Sequence, residues 1–173
     1  EDVGSKAKAL AELAERGFGG RVTLASATEA THAELAAFHT REHIARVETL
    51  CLEGTGWLDG GDTPARRGLD AAAAAVVGAS VFAMENVMAG HAHRAFVPIA
   101  GLHHAARDRA AGFCIYNDCG VVLELLRSRH GLERVALIDI DVHHGNGSED
   151  ILASDSRVLM ASTFQRGLYP FLG

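Results

Sequence analysis

The stretch RVALIDIDVHHGNG, residues 134–147, decides how this chain is read. Its first part is a short apolar run set between Gly131 and the glycines at 145 and 147, the length and composition of a buried strand. Asp139, Asp141, His143 and His144 then stand where that strand runs out. In open α/β sheets ligands collect beyond the carboxyl ends of the strands, so these polar groups occupy an active-site address. In extended backbone Asp139, Asp141 and His143 project to one side, while Ile138, Ile140 and Val142 are expected to pack into the protein on the other. A carboxylate and an imidazole two residues apart can bind one metal ion.

Working outward, Val3, Ala7, Leu10 and Leu13 have helical spacing up to Gly17, and residues 21–25 (RVTLA) read as a short strand. Thr31 with Glu34 forms a capping box, and Thr40 caps a helix over 41–53 that Gly54 ends. Residues 54–64 are a glycine-rich loop. Thr63-Pro64 supplies an N-cap and first helical position for a long alanine-rich helix reaching Ala89. AFVPIA (95–100) reads as a buried strand, followed by a polar loop to Asn117 and a helix closing at His130 and Gly131. RVLMASTF (157–164) is a further strand after a short helix. Apolar strands alternating with helices predict an α/β fold: a three-layer, mainly parallel sheet with helices on both faces, in one domain over residues 1–173.

Sixteen Lys and Arg against 22 Asp and Glu give a net charge of −6 with no basic cluster, which argues against direct nucleic-acid binding and suits a cationic substrate. Cys51, Cys114 and Cys119 form no disulfide framework, which favours a reducing compartment. No apolar run approaches the roughly 20 residues of a membrane span and Glu1-Asp2 opens no signal peptide, so a cytoplasmic location without membrane contact is expected.

A second pair of imidazoles, His103-His104, follows AFVPIA, and GFCIYND (112–118) comes next. GLHHA (101–105), GFCIYND and IDIDVHHGNG (138–147), in this order, closely resemble the zinc-dependent histone deacetylase family. That family includes acetoin-utilisation deacetylases and acetylpolyamine amidohydrolases and has the arginase-deacetylase fold. FHTREHIARV (38–47) and GGDTP (60–64) resemble its upstream helix and rim loop.

The resemblance implies that Asp141 and His143 are two of three protein ligands to a catalytic zinc or ferrous ion. It makes His104 the general base, oriented by Asn146, and His103 the neighbouring charge-stabilising imidazole with Asp139 as its partner. Phe113 and Tyr169 would wall a channel for an acyl-lysine stem, with Gly112 letting the alkyl chain approach the backbone. A carboxylate at the rim, Asp62 or Asp59, would hold substrate amides. Backbone carbonyls of Asp139, Asp141 and His143, with Ser162, would form a structural potassium site. Such chemistry suits an amide: a divalent cation polarises its carbonyl and lowers the pKa of water towards about 7. The implied substrates are acetylated lysine in peptides or proteins, or acetylpolyamines, with homo-oligomer formation left open.

The family's third metal ligand, a downstream aspartate, its later tyrosine and its N-terminal strand have no recognisable counterpart here, so an incomplete domain is expected. Two ligands seldom hold zinc tightly. An arginase-like ureohydrolase and a non-catalytic acyl-lysine binder or inactive fragment stand as the alternatives. His91 and His93 fit a helix end, His32, His39 and His43 surface or structural roles, and His130 a helix terminus. Cys114 and Cys119 lack the spacing of a zinc knuckle, and Trp57 is either a rim contact or a packing group.

Overall fold

A computed structural model describes residues 21–152 and 155–172, together with Lys8, Ala11, Glu12, Glu15 and Arg16. The helix expected on Val3, Ala7, Leu10 and Leu13 lies outside the described residues. Among the described residues the elements in order are α1 (His32–Leu35), α2 (Arg41–Glu53), α3 (Leu69–Met88), α4 (Asp118–Ser128), β1 (Val135–Asp139), α5 (Asn146–Leu152) and β2 (Val158–Ser162).

Local chemistry sets several boundaries. Thr31 accepts from the Glu34 amide while the Glu34 carboxylate accepts from the Thr31 amide, a reciprocal cap on α1. Thr40 accepts from the His43 amide to start α2, and Gly54 ends it in the left-handed region at φ 72. Along α2, His43, Ile44, Val47 and Cys51 form the buried stripe. Asn117 caps α4 by accepting from the Gly120 amide.

Helix α4 is the hub, packing against α1, α3, α5 and β1. Val77 and Val121 are fully buried, and Phe38 lies against Gly120, where a Cβ would stand 2.9 Å from its ring. Gly78 lets the segment before α1 cross α3: a Cβ there would sit 2.0 Å from the Thr28 carbonyl oxygen, and the Ala30 amide donates to Ala74. Helix α3 has 20 residues and a mean hydropathy of 1.5, enough by length and composition to cross a membrane, which corrects the expectation that no run reaches that length. One face of it is packed in the core, and Glu85 near its end pairs with Arg129 and His130.

Four expectations need correction. Residues 21–25 are exposed and irregular, and AFVPIA is no strand: Phe96 is 80% exposed and Pro98 has no amide to donate to a ladder. Thr63-Pro64 does not start α3, because Thr63 turns into the Asp59 loop and Gly68, at φ 81, precedes the first turn instead. Among the described residues the sheet has two parallel strands, paired from Val135 with Val158 to Asp139 with Ser162, and helices cover one face. Val135 and Leu137 pack on the core, while Ile138 and Leu159 are 63% and 64% exposed, so the third layer is absent among the described residues.

Two histidines tie the loop before α4 to the helices. His39 donates through Nδ1 to the Arg107 carbonyl and accepts at Nε2 from the Asn117 amide, and His43 Nε2 donates to the Ile115 carbonyl at 2.9 Å. Burial, with His43 beside it, pushes His39 from its ordinary 6.5 down to about 3. The folded ring therefore stays neutral while the unfolded ring binds a proton between these values, and stability falls as pH drops from 6.5 towards 3. His43 and His104, also shifted downward, act with the same sign. Urea denaturation across pH 7 to about 4 should show this decline, and His39→Gln should flatten it by up to about one proton. An unchanged slope would contradict a neutral His39.

Candidate active site

The site assembles from the loop before α4, the end of β1 and the first turn of α5. Strand β1 stops at Asp139, earlier than the extended run expected to reach Val142. Beyond it, Asp139 Oδ1 accepts from the Asp141 amide at 3.0 Å and Asp141 Oδ1 accepts from the His143 amide at 2.7 Å. Two successive aspartate turns, rather than the pleat of a strand, thus bring these side chains together. Ile138, Ile140 and Val142, expected in packing, face outward instead; Ile140 is 83% exposed.

Each imidazole of the tandem pair has its own partner. His103 Nδ1 donates to Asp139 Oδ2 at 2.7 Å, and His104 Nδ1 donates to Asn146 Oδ1 at 2.8 Å. Both rings are buried, with centroids 4.1 Å apart. Burial lowers the His104 pKa, the nearby His103 and His143 add to this, and the Asn146 hydrogen bond and Asp141 oppose it. These influences together disfavour the charged form of the His104 ring.

Close backbone approach makes the pairs possible. A Cβ at Gly145 would fall 2.3 Å from Asp139 Oδ2 and 3.1 Å from His103 Nδ1. At Gly147 it would fall 2.3 Å from the Ala105 carbonyl oxygen, next to His104. The loop is also held upstream: buried Asp118 accepts from the Gly101 and Leu102 amides at 2.9 and 2.8 Å, and from the Ser80 hydroxyl at 2.7 Å. Asp118 and Ser80 were missed in the sequence, where the only signals were a polar pair opening an apolar helix and one hydroxyl among alanines.

Asp141 Oδ1 and His143 Nδ1 lie 3.0 Å apart, both partly exposed. Two ligands at about 2.0–2.1 Å from one tetrahedral zinc stand roughly 3.3 Å apart, so this donor pair fits such an ion. Burial would raise the Asp141 carboxyl, yet hydrogen bonds from His143 and the nearby His103 and His143 rings hold it low, in the ligating form. No cluster of three or more such donors exists among the described residues. Ser162, paired in register with Asp139, has a buried Oγ without a hydrogen-bond partner, as an oxygen reserved for a cation would.

Tyr169 lies edge-on to His104 with centroids 4.9 Å apart. A Cβ at Gly112 would meet both rings at 2.7 Å, so the glycine lets His104 and Tyr169 pack together there. Phe113, at φ 66, stands 73% exposed. The two rim carboxylates separate clearly. Asp59 is consumed by the amides of Gly61, Asp62 and Thr63 and the Thr63 hydroxyl, whereas Asp62 is exposed and makes no such bonds. Burial raises the Tyr169 hydroxyl and both carboxylates add to that, which puts them on its side of the site.

His144 packs against Phe164 with centroids 4.7 Å apart and the rings tilted by 40°. His91 and His93 are exposed after α3, His32 pairs with Glu48, and Cys114 and Cys119 are free thiols pushed up by burial, Cys114 to about 11. Trp57 lines a surface hollow with Arg46 and Leu50 of α2.

The Gly147 contact generates a test. Gly147→Ala should destabilise the protein by about 1–3 kcal/mol, because the clash is with backbone that carries His104. Thermal denaturation reads it directly, and an unchanged Tm would show that the 104–106 backbone yields.

A family model described as Histone deacetylase domain matches residues 2–173. A histone deacetylase-like amidohydrolase of Pseudomonas aeruginosa is 36% identical over 155 residues, covering 89% of this chain and 40% of that protein. Histone deacetylase 8 of Xenopus tropicalis is 38% identical over 149 residues, 81% of this chain and 40% of its own. The crystal structure of the HDA15 HD domain superposes with a TM-score of 0.83 at 32% identity, over 94% of this chain and 47% of that one. The chain therefore spans about two fifths of the length of these curated relatives. With the family model matched over residues 2–173 and the fold shared with a solved relative, the chain belongs to the histone deacetylase domain family.

Proposed function

We propose that this chain contributes the proton-transfer pair and two metal ligands of an amidohydrolase that removes acetyl groups from lysine side chains or polyamines. The observation that carries the reading is the unequal pairing of adjacent imidazoles, His103 on a carboxylate and His104 on an amide oxygen. A carboxylate balances imidazolium charge, whereas an amide orients the ring and leaves it free to act as a base. Donation from Nδ1 to Asn146 leaves Nε2 of His104 as the proton acceptor for the attacking water. His103, fixed by Asp139, stabilises charge on the reacting carbonyl oxygen side, with its ring centroid 4.1 Å from that of His104. Either imidazole, once protonated, can supply the proton that the amine leaving group needs.

Asp141 and His143 would hold the zinc, or a ferrous ion, with one further protein ligand. When bound, the cation supplies Lewis acidity towards the amide carbonyl and makes water more acidic. Asp139, Asp141 and His143 carbonyls with Ser162 Oγ would hold potassium beside it. Phe113 and Tyr169 would flank the substrate stem and Asp62 its backbone, and a negative chain favours a lysine- or polyamine-rich substrate. The family match supports amide hydrolysis over an arginase-like reaction. A second reading, with no group of three such donors among the described residues, is an acyl-lysine binder without turnover.

Acetyl-lysine peptides and N-acetylpolyamines offered to the full protein separate these readings. His104→Ala should lower kcat by about 10²–10⁴-fold while metal content is retained; undiminished turnover would remove His104 as the base. Asn146→Asp should move the acid limb of kcat/KM to higher pH. A carboxylate favours the imidazolium, so a more basic medium is needed to keep the ring neutral. A limb left in place would show that Asn146 does not set the basicity of His104.

A further inference from the structure

Asn117, the penultimate residue of GFCIYND, is fully buried with every hydrogen-bonding group of its side chain engaged. Its Oδ1 accepts from the Gly120 amide at 2.9 Å, which caps α4. Its Nδ2 donates to the Ala105 carbonyl at 2.9 Å and to Ser148 Oγ at 3.1 Å. Its backbone amide donates to His39 Nε2 at 2.9 Å.

Ala105 directly follows His104, and Ser148 lies two residues after Asn146. The Ser148 amide also donates to the His103 carbonyl at 3.0 Å. The two partners of the His104–Asn146 hydrogen bond thus sit on separate segments, and one amide group reaches both. Helix capping accounts for Oδ1 alone, since Ser, Thr or Asp would cap as well. The two Nδ2 hydrogen bonds serve no helix; they join the histidine loop to α5.

We propose that Asn117 is a positioning residue that holds His104 and Asn146 in mutual register for proton transfer. The inference rests on the reading of His104 as the base. His39 supports it from behind: with its proton on Nδ1, donated to the Arg107 carbonyl at 3.3 Å, its Nε2 lone pair faces the Asn117 amide and fixes the backbone there. Aspartate at 117 would keep the cap but set a carboxylate against the Ala105 carbonyl. A fully satisfied buried network of this kind holds geometry well and tolerates partial loss poorly.

Asn117→Ser retains a cap and deletes both donors, and Ser148→Ala removes one acceptor while leaving the Ala105 bond. Both are made in the full protein and compared at one neutral pH. Kinetics on an acetyl-lysine peptide and the ¹H–¹⁵N signal of the His104 Nδ1–H in ¹⁵N-histidine-labelled protein are the readouts. Asn117→Ser should lower kcat by about tenfold to a hundredfold with KM within about twofold, and broaden or abolish the His104 signal. Ser148→Ala should shift both in the same direction by less. A lower Tm with wild-type kcat and an unmoved His104 signal would reduce Asn117 to a helix cap and overturn the proposal. Should Asn117→Ser not fold, the same result in Ser148→Ala overturns it. Absence of turnover in the wild type would sink the amidohydrolase reading separately, because the His104 signal tests the hold of Asn117 without any turnover.

Discussion

The buried carboxylate of Asp118 is the constraint on which the site depends. The segment carrying His103 and His104 has no strand of its own, and residues 91–105 contain no regular element. Without a ladder to fix it, such a segment is held by individual hydrogen bonds. Asp118 supplies three, to two amides of the loop and to Ser80 on α3, from the first turn of α4, where a negative charge is favoured by the helix dipole. At its other end the loop is gripped by Asn117 and by close approach of Gly147. Removing such an acceptor leaves buried donors unsatisfied, at about 1–3 kcal/mol each, so the loop and the hub helix are stabilised together.

What was legible in the sequence was what short-range chemistry decides. Thr31, Thr40 and Gly54 marked helix ends because a cap needs only a neighbour three or four residues away. Strands at 135–139 and 158–162 were legible from their apolar runs, though each is shorter than expected. RVTLA and AFVPIA show the limit: a strand exists only where a partner lies beside it, and no sequence pattern within the segment supplies one. Thr63-Pro64 failed for a different reason. Asp59 outcompeted the helix for Thr63, offering its amide and hydroxyl a carboxylate that the helix start could not match.

The sequence pointed to a group of residues that the fold brings close together, but not to their geometry. Alternation along a strand suggested the right grouping of Asp139, Asp141 and His143, yet aspartate turns produce it. The resemblance left Asp59 and Asp62 undecided, and the hydrogen bonds separate them: one carboxylate is spent inside its loop and the other faces outward. Asn117, Asp118 and Ser80 lie 31 to 38 residues from the side chains they join in two of these contacts, which no local pattern records.

The strand that leads to the two candidate ligands, Asp141 and His143, also carries exposed apolar side chains. Ile138 and Leu159 stand 63% and 64% exposed on the face opposite the helices. Burying a side chain of this size contributes about 1.5–3 kcal/mol, so covering that face matters against a total stability of about 5–15 kcal/mol. Asp141 and His143 hang from the end of the same strand, in a bend held mainly by its own aspartates. Whatever packs on Ile138 therefore also stiffens the platform from which the two donors project. A cation shared by those donors would in turn favour the folded bend over the unfolded chain, by binding only where they converge.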